Sequence, residues 1–130
     1  MKKIVFHIIL LRCLVLNVSA QVNLVPNPSF EFFTICPSTF SQIAYAYPWY
    51  MPTAGTSDYF NSCDLGIMGV PLNITGYQFA RTGVAYVGGQ MTTGYREYIS
   101  SRLNSALIKD KNYCIEFENR SWRNINSQYK

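Results

Sequence analysis

The chain is short of the residues that most enzymes work with. Its 130 residues contain one histidine, His7, and only seven acidic side chains. His7 lies in an apolar leader, so everything behind that leader lacks an imidazole. A Ser-His-Asp or Cys-His nucleophilic site is excluded there, as is a zinc site that uses histidine. Charge of either sign is scarce, at 14% of residues. Beyond the leader no apolar run reaches the length of a membrane span. Helical periodicity of useful length, internal repeats and low-complexity tracts are also missing.

What is present begins with residues 1–20, which read as a secretory signal. Lys2 and Lys3 form a basic start, an apolar run follows, and Val18-Ser19-Ala20 suits a cleavage site before Gln21. Arg12 interrupts the run, which argues against an anchor. The expected address is therefore exported: secreted, or at the cell surface or outer membrane. Removing Lys2, Lys3 and Arg12 lowers the formal charge from +4 to +1. No basic stripe is left, so a nucleic-acid partner is not expected.

Cys36, Cys63 and Cys114 follow the leader. In an oxidising compartment Cys36 and Cys63 are the expected disulfide, although sequence alone leaves the connectivity of three cysteines open. Cys114 falls in an apolar alternation and is expected as a buried small hydrophobe.

About 110 residues remain after the leader, enough for one domain. Aromatics make up 15% of the chain, with ten tyrosines. Short apolar stretches separated by Gly, Pro and Asn turns predict an all-β sandwich or barrel. Residues 23–31 are expected to open it as an edge strand, because Pro26 and Pro28 lack the N–H that a central strand needs. Residues 30–33 would complete that strand. Ile43, Tyr45, Tyr47 and Trp49 alternate with small residues and predict an extended segment. Further strands are expected at 84–87, at 95–103 and around Tyr113, Ile115 and Phe117. In the 95–103 strand, Glu97, Ile99, Ser101 and Leu103 share one face; Arg96, Tyr98, Ser100 and Arg102 share the other. Residues 21–117 form the partial sandwich. Residues 118–130 lose the pattern, and the chain is expected to be incomplete at its C-terminal end.

Several segments, taken in order, resemble the N-terminal β-sandwich module of exported bacterial envelope proteins. That module often precedes an OmpA-like or a gliding-motility/secretion-sorting C-terminal domain. The segments are Asn23-Leu24-Val25-Pro26-Asn27-Pro28-Ser29-Phe30-Glu31, Cys36-Pro37, Trp49, Pro52-Thr53, and Asp58-Tyr59-Phe60-Asn61 with Cys63. Gly69-Val70-Pro71, Gly76-Tyr77-Gln78, Arg81-Thr82-Gly83-Val84-Ala85-Tyr86-Val87-Gly88, Tyr95-Arg96-Glu97-Tyr98-Ile99, Leu103 and 111–117 continue the set. The module is similar to the galactose-binding-like jelly rolls used as carbohydrate-binding modules. The resemblance implies a jelly-roll β-sandwich, a glycan or cell-envelope component as partner and, in some relatives, a structural calcium.

The functional expectation is a non-catalytic, secreted or envelope binding module for carbohydrate. The alternatives are a structural or assembly module of a surface protein, and a truncated fragment without function. Tyr45, Tyr47, Trp49 and Tyr50 are either core or a sugar-stacking platform, with Trp49 and Tyr50 as the ligand candidates. Asp58 and Asn61 are either loop caps or ligand contacts. Glu31 is either an ordinary surface carboxylate or one oxygen ligand to calcium, which needs six or more oxygens. Glu97 with Glu116 or Asp58 could be drawn as a glycosidase pair, but nothing sets the separation that chemistry requires, and no enzyme is expected.

Overall fold

The computed structural model describes residues 22–120. The leader reading at 1–20 and most of the tail reading at 118–130 fall outside them. The described chain is β-structured and poor in helix. Four short strands are present: β1 (Asp58–Asn61), β2 (Leu72–Asn73), β3 (Gly76–Tyr77) and β4 (Ala85–Gly88). One 3-10 turn, Ile43–Tyr45, precedes them. No helix among the described residues is long and apolar enough to cross a membrane.

β1 and β4 pair antiparallel, with Tyr59 opposite Val87 and Phe60 opposite Tyr86. β2 and β3 form a separate small hairpin, Leu72 opposite Tyr77 and Asn73 opposite Gly76. Both faces of β1 are covered, since Tyr59, Phe60 and Asn61 are all buried. On one face Tyr59 meets Ile43, Ala46 and Ala85, with Phe30, Trp49, Val87 and Ile99 packed around them. On the other, Phe60 stacks on Tyr86 with ring centroids 5.0 Å apart. That ring also lies over Gly88, where a Cβ would stand 2.9 Å from Phe60 Cε2.

The 43–49 stretch departs from the extended segment expected of it. Ile43 and Ala46 are buried and Tyr47 is 59% exposed. Burial at i and i+3 is the spacing of a 3-10 turn, and Ala46 N donates to Ile43 O at 3.0 Å. Alternating large and small residues imitate a strand here, but small Ala46 is what lets the turn approach the core.

Residues 23–31 are likewise not a strand. Asn27 (φ 43) and Phe30 (φ 61) adopt left-handed backbone, which ends any extended run. Pro26 and Pro28 remove two donors, and the Asn27 side chain organises the rest, as described below. The Tyr113, Ile115 and Phe117 alternation makes no strand either. Ile115 is 85% exposed and Phe117 80%, and Cys114, expected buried, is an exposed free thiol. No neighbouring strand borders this segment among the described residues.

Residues 95–103 carry only isolated pairings, yet their pattern is informative. Tyr50 and Ser100 exchange two backbone hydrogen bonds, 3.0 and 2.9 Å. On the opposite edge Glu97 N donates to Gln90 O and Thr92 N to Tyr95 O, closing a tight hairpin about Met91 and Arg96. The segment is thus flanked on both edges.

Cys36 and Cys63 form the expected disulfide, joining the loop before the 3-10 turn to the end of β1. It closes a loop of 27 residues, and such closure restricts the unfolded chain by about 3 kcal/mol. Replacing both cysteines with serine should lower unfolding free energy by roughly that amount, read by chemical denaturation under oxidising conditions. Unchanged stability would show that the network around Asn61 holds this corner alone.

Candidate binding surface

Four residues were candidates for ligand contact and one for metal. Trp49 sits half-buried against Phe30, ring centroids 5.0 Å apart. Its indole N–H donates to Asn27 O at 3.0 Å. The same asparagine clamps two strands of irregular chain. Its amide donates to Phe32 O and Tyr47 O, and its carbonyl accepts from Phe32 N. Trp49 is therefore a core and anchoring residue, with its one polar atom already paired.

Asn61 is also removed from solvent, at 1% exposure. Its amide donates to the Tyr59 hydroxyl at 2.7 Å and its carbonyl accepts from Cys63 N at 2.9 Å. The Tyr59 hydroxyl donates in turn to Phe30 O at 2.8 Å. Burial pushes the Tyr59 phenol above its ordinary value, which keeps the donor proton in place. This chain ties the disulfide corner to the Asn27 turn, and its burial keeps Asn61 away from any ligand at the surface.

Asp58 is partly buried at the head of β1 and accepts from Ser41 N at 2.8 Å. Burial raises its carboxyl above the usual value, Ser41 opposes that, and the Glu97 charge adds to it. Glu31 accepts from Val84 N at 3.0 Å and Ala85 N at 3.2 Å, both through one oxygen. It caps the entry to β4, and the left-handed Gly83 leaves the space its carboxylate occupies. No cluster of three His, Cys, Asp or Glu able to hold a metal occurs among the described residues. The structure does not bring Glu31 and Asp58 to one site.

Glu97 is the carboxylate whose role the residue pattern concealed. It is 5% exposed. One oxygen accepts from Thr56 N, the Thr56 hydroxyl and the Tyr95 hydroxyl; the other accepts from Gln90 N at 2.7 Å. Gly55 and Gly89 lie against it: a Cβ at Gly55 would stand 3.5 Å from Glu97 Cγ, and one at Gly89 3.4 Å from Glu97 Cβ. Burial alone would raise its pKa, but the donors from Thr56, Gln90 and Tyr95 together carry it below the usual carboxylate value. It joins three segments through one charge, and both of its oxygens accept hydrogen bonds. This is a structural carboxylate, and a poor proton donor for hydrolysis. The only sign of it in the sequence is its place on the same face as Ile99.

Tyr50 remains. It is 48% exposed, and its hydroxyl accepts from Ser100 Oγ at 3.3 Å. Pairing with Ser100 places it on the face that also carries Tyr98, 46% exposed. Of the four ligand candidates, Tyr50 is the one with an exposed ring, and the exposed Tyr98 lies on the same face of the segment it pairs with.

Glu97→Gln should cost about 2 kcal/mol of folding stability, since it removes charge-assisted bonds from a buried group. The depressed folded-state pKa stabilises fully above the unfolded value near 4.5 and is lost as pH falls through the lower folded value. Asp58 acts with opposite sign, its contribution fading as pH rises from 3.8. The wild-type minus Glu97→Gln difference reports Glu97 together with its electrostatic effect on Asp58. Denaturation between pH 2 and 6, about the range these two groups span, should show that difference shrinking in acid; a constant difference would refute the assignment.

Comparison with known proteins supplies no relative: no family model matches the chain, and no match is found among curated proteins or solved structures.

Proposed function

We propose that this chain is a non-catalytic, exported binding module for carbohydrate, built on a galactose-binding-like jelly roll. The observation that carries the reading is the solvent-facing pair Tyr50 and Tyr98 beside the Ser100 hydroxyl. Sugar rings pack their C–H faces on exposed aromatic rings, and hydroxyls fix their orientation. The two tyrosines sit on anchored backbone, Tyr50 paired with Ser100 and Tyr98 O accepting from Ser57 Oγ, which positions both residues before any ligand arrives.

The fold part of the proposal rests on the ordered resemblance to envelope modules and on the antiparallel, helix-poor architecture. The non-catalytic part rests on the carboxylates. Glu97 is locked by four donors, Glu31 caps β4, and Asp58 is held by Ser41. Each of the three is engaged by its own donors, whereas paired acid-base chemistry needs carboxyls turned toward a bound substrate.

Tyr50→Ala removes half of the platform and leaves the buried core untouched. Binding to a broad glycan array should fall about tenfold or more, the loss of one stacking contact of 1–2 kcal/mol. Thermal unfolding should move little. Trp49→Ala should instead unfold the protein at lower temperature, because it strips Phe30 and Asn27 of their partner. A folded wild-type protein that binds no glycan on the array would overturn the proposal.

A further inference from the structure

The face that holds the tyrosine pair is not neutral. Antiparallel pairing puts opposite residues on one side, so Met91 lies with Arg96 and Tyr50 with Ser100. Arg96, Tyr98 and Ser100 follow one another at every second position of an extended segment, and Arg102 continues the series. The intervening residues face inward: Glu97 is buried and Ile99 packs on the core. The outer face therefore reads arginine, tyrosine, serine, arginine, with Tyr50 alongside.

Both arginines are exposed. The ion pairs among the described residues are Arg81 and Arg120, each with Glu118, so neither Arg96 nor Arg102 has a carboxylate partner there. The nearest carboxylate in sequence, Glu97, points the other way and is satisfied by its own donors. Two exposed guanidinium groups without a partner, spaced on either side of aromatic rings, complement a chain that alternates carbohydrate faces with fixed negative charge. Guanidinium forks match carboxylates in geometry as well as charge.

We infer that this surface binds an acidic polysaccharide, with Tyr50 and Tyr98 stacking on sugar rings while Arg96 and Arg102 pair with uronate carboxylates. The inference rests on the carbohydrate reading above and names the class of glycan. Glu97 is the positioning residue beneath the surface, because it ties the 50–57 loop and the 90–92 turn to the segment that bears the arginines.

The test is affinity electrophoresis of the full chain in gels containing polygalacturonate or its fully methyl-esterified form. The two share a sugar backbone and differ only in charge. Retardation by the acidic polymer, weakened by added salt and absent with the ester, is the expected result. Arg96→Gln with Arg102→Gln should weaken retardation on the order of tenfold while thermal unfolding stays unchanged. Tyr98→Ala should weaken it as well, which simple ion exchange would not do. Equal retardation by both polymers would overturn the acidic class and leave the carbohydrate reading standing. Retardation by the acid that survives Tyr98→Ala in full would show charge attraction alone and overturn the stacking surface. Failure of a folded protein to bind either polymer overturns the acidic-glycan inference; the glycan array then decides the broader reading.

Discussion

Side chains satisfy many backbone groups among the described residues, because the ladders are short and loop bonds between backbone groups cover only part of the rest. β1 and β4 are four residues each, β2 and β3 two. Most of the remaining chain is irregular, and irregular backbone next to a core must find partners or pay for desolvation. Asn27 serves Phe32 and Tyr47, and Glu31 serves Val84 and Ala85. Asn61 serves Cys63, and Glu97 serves Thr56 and Gln90. Asn73 adds a further case, donating to Gly69 O and the Tyr86 hydroxyl while accepting from Thr75 N. Carboxylates and carboxamides thus do in this fold what ladder bonds do in a regular sheet.

This arrangement links the interior to the outer surface. Glu97 and Arg96 are neighbours in sequence and point to opposite sides. Holding Glu97 in its cage fixes the phase of the segment, so Arg96 and Tyr98 must face solvent. The Tyr50 pairing with Ser100 then completes the outer face. A surface built this way owes its order to a buried charge, and loosening that charge would blur the surface without touching it.

How much of this was legible varies by segment. The strand at 84–87 appears as β4, displaced by one residue, and Cys36–Cys63 forms as expected. At 95–103 the two-residue period holds for Glu97 and Ile99 inside and Arg96 and Tyr98 outside, but Leu103, expected inside, is exposed, and the segment forms isolated bridges instead of a strand. The same period misled at 43–49, where a 3-10 turn buries Ile43 and Ala46. A pattern of large and small residues cannot distinguish alternation from a single tight turn when only one side chain in three needs a seat. At 23–31 the two prolines were read as edge-strand features. The deciding residue was Asn27 between them, whose left-handed backbone and three side-chain bonds make a turn. At 113–117 apolar alternation needs a neighbouring strand to become β, and the described residues supply none.

By itself the sequence determined composition-level and local properties. It put the single histidine at position 7, made helix improbable, set the β character, and placed two cysteines for a disulfide. These follow from residue type and spacing, which need no distant partner. Tertiary structure decided which polar residues are free. Trp49, Asp58 and Asn61 look alike in sequence as ligand candidates, yet Trp49 is engaged by Asn27, twenty-two residues away, and Asn61, bonded to its near neighbours Tyr59 and Cys63, is buried by the packed core. Tyr50 stays exposed because its backbone meets Ser100, fifty residues along the chain. Hydrogen-bond partners at such separations depend on how the chain returns on itself, and local pattern carries no record of that path.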